Sequence, residues 1–309
     1  FEFVISPEDK EVNGAVFTPE YIREYIVENT IKKQENKNIN EIVFGDIACG
    51  CGGFFKTITE YLRKETNKTF FDIYKENIFG LDIQVYSIVR TKILLSLLAI
   101  INNEDCVEFE FNLFDGNALS FDWNNIEKIK NNNGFDIIVG NPPYVGSSKI
   151  DIETKKLLKN WSVSKSGKSD LYIPFFEIGI KNLNENGILG YITVNTFYKS
   201  LNGRSVRSYF SKNKFDLTII DFGGEQLFKK RSTYTCICLI SKLESNLVKY
   251  VKSKSSNIRS IKKSNYLRIF YSELNDFDGW FLIDKKAKKT INKIESTGKK
   301  LGTKFEIRN

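Results

Sequence analysis

Phe135-Asp136-Ile137-Ile138-Val139-Gly140-Asn141-Pro142-Pro143-Tyr144 is the stretch whose reading decides the fold. The apolar run closed by Gly140 reads as a buried strand. Pro142 and Pro143 end it, because neither ring nitrogen can donate to a ladder. Asn141 and Tyr144 are thereby held on a stiff turn at the carboxyl end of a strand. In open α/β sheets that edge is where ligands bind. The turn offers an amide oxygen, a backbone carbonyl and a flat ring. An exocyclic amine on a flat base could hydrogen-bond to both oxygens and stack on the ring. The competing reading is a turn that merely stops a strand, with Tyr144 packed on a neighbour.

Upstream, Glu41 to Ile47 reads as a strand, Ala48-Cys-Gly-Cys-Gly-Gly-Phe-Phe55 as a glycine-rich turn, and about Phe54 to Lys64 as a helix. Strand, turn and helix make the first unit of a Rossmann-like half. Gly50-x-Gly52-Gly53 lacks the G-x-G-x-x-G spacing and the Gly-Lys-Ser/Thr of a P-loop, so a dinucleotide or nucleoside triphosphate is disfavoured. Asp46 sits where a carboxylate could meet the positive charge of a cationic cofactor. Phe79-Gly-Leu-Asp82 ends the next strand, where a carboxylate can accept both ribose hydroxyls. Phe109 to Phe114 alternates and ends at Asp115. Taken singly, Asp82 and Asp115 could be cap or turn residues; as a series of strand-end carboxylates they point to a site.

Length and composition frame these units. The 309 residues suffice for one large domain or two small ones. Hydrophobic residues make up 41% and charged residues 27%, ordinary for a soluble globular chain. No apolar run approaches a membrane span and no signal peptide is visible, so a cytoplasmic location is expected. The net charge of +8 suits a polyanionic partner, although the abundance of Lys, Asn and Ile also fits an AT-rich coding bias. Cys49, Cys51, Cys106, Cys236 and Cys238 lack zinc spacing and disulfide-framework spacing, and are expected as reduced thiols. With no histidine, neither a Cys/His metal site nor a Ser-His or Cys-His pair can form. The sequence also has no Met, so it reads as a fragment or as a chain from which methionines are missing.

Elsewhere the expectations are local. Thr18 is a good helix N-cap, with Pro19 in the first helical position. The helix from Val85 to Ile100 carries Val85, Val89, Ile93 and Leu97 on one face, expected to be buried core. Gly146 to Gly167 reads as a polar, mobile loop over the site. Ser169 to Leu183 holds a helix, and Ile188 to Val194 another buried strand. Phe215 to Phe222 and Tyr234 to Ile240 form a terminal hairpin. Glu244 to Ser264 looks like a linker, and Lys285 to Ser296 like a helix. The expected division is 1–245 and 246–309.

Asn141-Pro142-Pro143-Tyr144 resembles the catalytic motif of the γ-type DNA methyltransferases acting on N6 of adenine, including the methylase part of single-chain, Eco57I-like restriction-modification enzymes. The resemblance runs from about Gly14 to Ile240. The glycine turn is similar to that family's first cofactor motif, Asp-Pro-Ala-Cys-Gly-Ser-Gly-Gly-Phe, with Ile47 for the Pro and Cys51 for the Ser. It implies an α/β fold of the class I, S-adenosyl-L-methionine-dependent kind: Rossmann-like, with a seven-stranded, mostly parallel sheet and an antiparallel terminal hairpin. It implies cofactor contacts at Phe17, Thr18, Pro19, Asp46, Ala48, Gly50, Gly52, Asp82, Ile83, Asp115, Gly116 and Asn141. Asn141, Pro142, Pro143 and Tyr144 would be catalytic, and Tyr144 and Phe228 would stack on the flipped base. The basic triplet Lys229-Lys230-Arg231 would contact the backbone of double-stranded DNA, though such triplets are often plain solvated surface. No metal would be needed for methyl transfer and no membrane would be involved. Leu301 to Asn309 resembles the opening of a target-recognition domain, expected from a further C-terminal part. Release-factor glutamine methylases share Asn-Pro-Pro-Tyr but lack the early Thr-Pro segment. A non-catalytic DNA-binding fragment is the third possibility.

Overall fold

The computed structural model describes residues 17–34, 36–105, 108–166, 168–228 and 233–297. Lys229, Lys230, Arg231, Cys106 and the Leu301 to Asn309 stretch lie outside the described residues. So does Gly14.

Phe135–Gly140, strand β4, is buried at every position, as expected for a strand covered on both faces. On one side it pairs in parallel with β1 (Phe44–Asp46), which continues to β2 (Ile78–Asp82) and β3 (Asn112–Asp115). On the other it pairs in parallel with β5 (Leu183–Val194). Then come β7 (Thr235–Glu244), antiparallel, and β6 (Phe215–Asp221). The order β3-β2-β1-β4-β5-β7-β6 is the expected seven-stranded sheet with its antiparallel hairpin. The one acid inside β4, Asp136, is buried yet satisfied by Val43 N–H at 2.7 Å, Lys37 Nζ at 2.6 Å and Asn184 Nδ2 at 2.7 Å. Apolar cores cover both faces of the sheet.

Two further strands correct the linker expectation for Glu244 to Ser264. Strand β8 (Leu247–Lys252) pairs in parallel with β6, and β9 (Leu267–Phe270) pairs antiparallel with β8. Val248, Tyr250 and Val251 are buried, Lys249 is half-buried and Lys252 is exposed. The segment after β9 is fastened to the body. Arg207, fully buried, donates to the carbonyls of Phe197 and Ser200 at 2.8 and 2.7 Å and to those of Asp276 and Phe277 at 2.9 and 3.3 Å. Trp280 is buried and its backbone N–H meets Tyr198 O at 2.7 Å.

The helix Val85–Ile101 forms as expected but turns its other face inward. Val85, Val89, Ile93 and Leu97 are 59, 49, 54 and 50% exposed, whereas Ile88, Thr91, Leu95 and Leu98 are buried. The helix is apolar nearly all round, so periodicity offers two rival stripes. The buried one includes Ser87, Thr91 and Ala99, small enough to let the helix approach the glycine turn. The polar stretch from Gly146 onward, expected as a mobile loop, contains the helix Ile152–Leu158, capped by the Asp151 carboxylate accepting Thr154 N–H at 2.9 Å. Ile150, Leu158 and Val163 anchor it in the core. Among the described residues no helix is long and apolar enough to cross a membrane.

Candidate functional site

The carboxyl ends of β1, β2 and β4 open onto one cleft. Strand β1 delivers Asp46 and the turn Ala48 to Gly53; β2 delivers Asp82, Ile83 and Gln84; β4 delivers Asn141 and Pro143. Gly116 to Leu119, just after β3, close one side, and Phe17, Thr18 and Arg23 close another. Thr154, Leu171 and Phe175 complete the wall.

The glycine turn is built by backbone geometry. Gly50 and Gly52 have φ of +53° and +73°, a region that costs little only for glycine. A Cβ on Gly52 would lie 2.6 Å from the Thr91 methyl. Asp82 fastens the turn: one carboxylate oxygen accepts Gly50 N–H at 2.9 Å and the other accepts Gln84 N–H at 2.9 Å. Thr91 Oγ1 donates to Gly50 O at 2.9 Å. Burial raises the Asp82 pKa, and those N–H groups with the Ser87 hydroxyl oppose the rise. Asp46 is 2% exposed and accepts Ala48 N–H at 3.1 Å. Burial pushes its pKa up to about 8, with Asp82 nearby adding to the shift.

Asn141 stands half-buried at the end of β4, and its Nδ2 donates to Thr18 Oγ1 at 3.1 Å. Thr18 does not cap its helix as expected, because it lies one residue before the cap position. Pro19 holds the cap position of Glu20–Ile31 without any side-chain bond. Arg23, 3% exposed, donates to Thr18 O at 2.5 Å and to Thr57 Oγ1 at 3.1 Å, and its guanidinium lies over the Phe17 ring. Tyr144 is half-buried, its hydroxyl reaching Ile192 O at 3.4 Å, and its ring lies 6.1 Å from that of Phe228 at 59°.

The structure therefore gathers Phe17, Thr18, Asp46, Ala48, Gly50, Asp82, Ile83, Gly116, Asn141 and Pro143 around one cleft. Pro19, Gly52, Pro142, Tyr144 and Phe228 stand behind or beside that wall rather than on it. Asp115 pairs in register with Asp82 but is exposed and off the wall, where Gly116 and Asn117 take the position beside the cleft. Sequence reasoning missed Arg23, Thr57 and Thr91. For Arg23 a signal existed: a charge on the apolar face shared by Ile22 and Ile26.

The donor set fits S-adenosylmethionine. Asp46 can face its positive charges, Asp82 can take further hydrogen bonds from ribose hydroxyls, and the glycine turn permits close backbone approach.

A family profile described as Eco57I restriction-modification methylase matches residues 76–228. The chain is 27% identical, over 96% of its length, to the type II restriction enzyme and methyltransferase RM.Eco57I of Escherichia coli, and covers 35% of that protein. It is 26% identical to the type II methyltransferase M.BanIII of Aneurinibacillus aneurinilyticus, covering 70% of this chain and 36% of that one. The chain thus spans about a third of the length of these relatives. Among solved structures it superposes on a DrdV–DNA complex with a TM-score of 0.68 at 18% identity, covering 85% of this chain and 31% of the other. A nuclease-deletion mutant of LlaGI with a DNA substrate mimic gives the same TM-score, 0.68, at 18% identity, covering 89% and 32%. The fold is that of the class I S-adenosylmethionine-dependent methyltransferases.

Proposed function

Starting from a chain that is a low-identity relative of the restriction-modification methylases, we propose that it methylates N6 of a flipped-out adenine in double-stranded DNA. The observation that carries the reading is that Asn141 lines the same cleft as the glycine turn and Asp82. An amide acceptor, rather than a tuned base, stands where a methyl donor would lie.

S-adenosylmethionine supplies an electrophilic methyl group carried on a sulfonium. The chain supplies the rest. Phe17 and Thr18 would cover the methionine end, Asp46 would face the positive charge, and Asp82 would hold the ribose. A base inside a duplex cannot reach this cleft, so it must flip out at a cost of a few kcal/mol. Stacking on Tyr144 and Phe228, at roughly 1–3 kcal/mol per base, offsets that cost. The Asn141 side-chain oxygen and the Pro142 carbonyl would accept the two N6 hydrogens and turn the nitrogen lone pair out of conjugation with the ring. As the N6–methyl bond formed and the methyl carbon–sulfur bond broke, leaving the sulfur as a neutral thioether, positive charge would grow on N6, and the fixed oxygen dipoles of Asn141 and Pro142 would stabilise it. The surplus proton then leaves to solvent, so a chain without histidine can carry out the reaction.

Lys229, Lys230 and Arg231, directly after Phe228, would meet backbone phosphates. In this reading, recognition of the flanking sequence would fall to a target-recognition domain. A cytoplasmic location goes with this reading.

The test is incubation of the protein with methyl-labelled cofactor and duplex DNA, followed by nucleoside digestion. N6-methyldeoxyadenosine is expected. Label on cytosine, on a release factor, or on nothing would overturn the proposal.

A further inference from the structure

We infer that Glu225 is a positioning residue for Phe228: its carboxylate, held by Ser255, fixes the turn that carries the ring beside Tyr144. This rests on the base-stacking reading above and deepens it, by naming what steadies one side of the base pocket.

A ring on a loose turn must be ordered each time a base arrives, and that ordering costs affinity. Phe228 follows β6 across the turn 222–227. The turn bends at Gly223, whose φ of +62° is easy only for glycine. Its near end is fastened by Asp221, which is buried. That carboxylate accepts Gly223 N–H at 3.0 Å, Asn195 Nδ2 at 2.8 Å, and the hydroxyls of Tyr198 and Tyr250 at 2.7 and 2.9 Å. Glu225 stands between that anchor and the ring. One of its oxygens accepts Ser255 N–H at 2.8 Å and the other accepts the Ser255 hydroxyl at 2.6 Å.

The sense of these bonds is fixed by the chemistry. A carboxylate only accepts, so both protons in the contact belong to Ser255. The single hydroxyl proton of Ser255 goes to Glu225, and its oxygen accepts the Tyr21 hydroxyl at 3.0 Å. Tyr21 is in the first turn of Glu20–Ile31, directly after Phe17 and Thr18 on the cleft wall. Ser255 is buried, and the chain leaving β8 is pinned where Ser253 N–H meets Asp221 O at 3.0 Å. The tether thus runs from the turn that bears the ring, through a residue 30 positions later, to the segment that closes the cleft. Hydrogen bonds to an ionised group are the strong class, and two on one carboxylate fix direction as well as distance.

The test is a double-mutant cycle in the full-length protein: parent, Glu225→Ala, Phe228→Ala and the two combined. The fluorescence of a target 2-aminopurine, single-turnover methylation at saturating cofactor, and affinity for S-adenosylhomocysteine are followed together. Glu225→Ala should reduce the fluorescence rise and slow methylation by about 5- to 20-fold, the equivalent of one strong hydrogen bond. Its affinity for S-adenosylhomocysteine should match the parent. In the Phe228→Ala background the same change should add little, because the ring that it steadies is gone. Unaltered fluorescence in either single variant, or fully additive losses in the double variant, overturns the inference; Glu225 then only staples the later strands to the body. Ser255→Ala breaks the contact from its other end, and should Glu225→Ala fail to fold it carries the same cycle with the same outcomes. If the parent neither flips nor methylates adenine, the functional proposal falls and this inference falls with it; a flipping parent matched by Glu225→Ala sinks the inference alone.

Discussion

The rings of Tyr144 and Phe228 touch, with centroids 6.1 Å apart and planes inclined at 59°. A flat base between two rings needs about 7 Å, two stacking separations of ~3.5 Å each. The pair is therefore closed, and under the proposed function the two rings would have to part to admit a base. Phe228 is only 5% exposed and belongs to the core around β7 and Glu20–Ile31, so it serves packing as well.

Phe228→Ala should lower the melting temperature and also weaken base capture. The fluorescence rise of a 2-aminopurine at the target should shrink relative to the parent. Equal fluorescence would mean that Phe228 only fills the core.

Removing the amide has a different signature. Asn141→Ala should slow single-turnover methylation by about 100- to 1,000-fold, as for loss of a preorganised dipole at a charged transition state. Its affinity for S-adenosylhomocysteine should stay within a few-fold of the parent. Calorimetry beside a quench-flow assay separates the two, and unimpaired turnover would refute the role.

Asp82 secures the glycine turn through Gly50 N–H and, under the proposed function, would take the ribose hydroxyls. Asp82→Ala should weaken cofactor binding tenfold or more, since hydrogen bonds to a charged group are each worth about 1.5–3 kcal/mol. An unaltered dissociation constant by calorimetry would remove it from the cofactor site.

The buried Asp46 carboxyl, with its pKa pushed up to about 8, sets a pH dependence. In the unfolded chain it ionises near the usual ~3.9. Between those values the unfolded state binds fewer protons than the folded one, so the ligand-free protein loses stability as pH rises from about 4 to 8. A cationic ligand favours the ionised form, so cofactor affinity should rise over pH 6 to 8 with release of a proton. Binding enthalpies measured in buffers of different ionisation heat would show that release. Asp46→Asn should abolish both trends.

The exposed ridge of Val85–Ile101 gives a test of which face carries the packing. Ile93→Ser should change stability by no more than about 0.5 kcal/mol, whereas Leu95→Ala should cost about 2–5 kcal/mol. Chemical denaturation of both variants would show whether the faces are assigned correctly.

Contiguous signals were the legible ones. The apolar run into Asn141, the glycine turn and the strand-end Asp82 each announce themselves within ten residues, and the sheet order follows from them. The inward face of Val85–Ile101 was not legible, because apolar residues surround the helix and only its small residues, Ser87, Thr91 and Ala99, mark the side that approaches the turn. Leu247–Lys252 reads Leu-Val-Lys-Tyr-Val-Lys and lacks a clean period of two, so nothing in it stood out from the Ser- and Lys-rich residues around it. The pairing of Thr18 with Asn141 spans 123 positions, and no local rule reaches that far. Thr18 satisfied the helix-cap rule in sequence but lies one residue before the cap position.

Arg207 bears on any attempt to graft this catalytic body onto another protein. A chimaera cut at residue 245 would leave the outer edge of β6 bare and take away the Asp276 and Phe277 carbonyls that share the guanidinium. It would also pull Trp280 out of its socket against Tyr198. A junction beyond Leu282 keeps all of these. The transplantable unit is therefore longer than the strands that shape its cleft, and residues 246–282 travel with it as ballast that cannot be jettisoned.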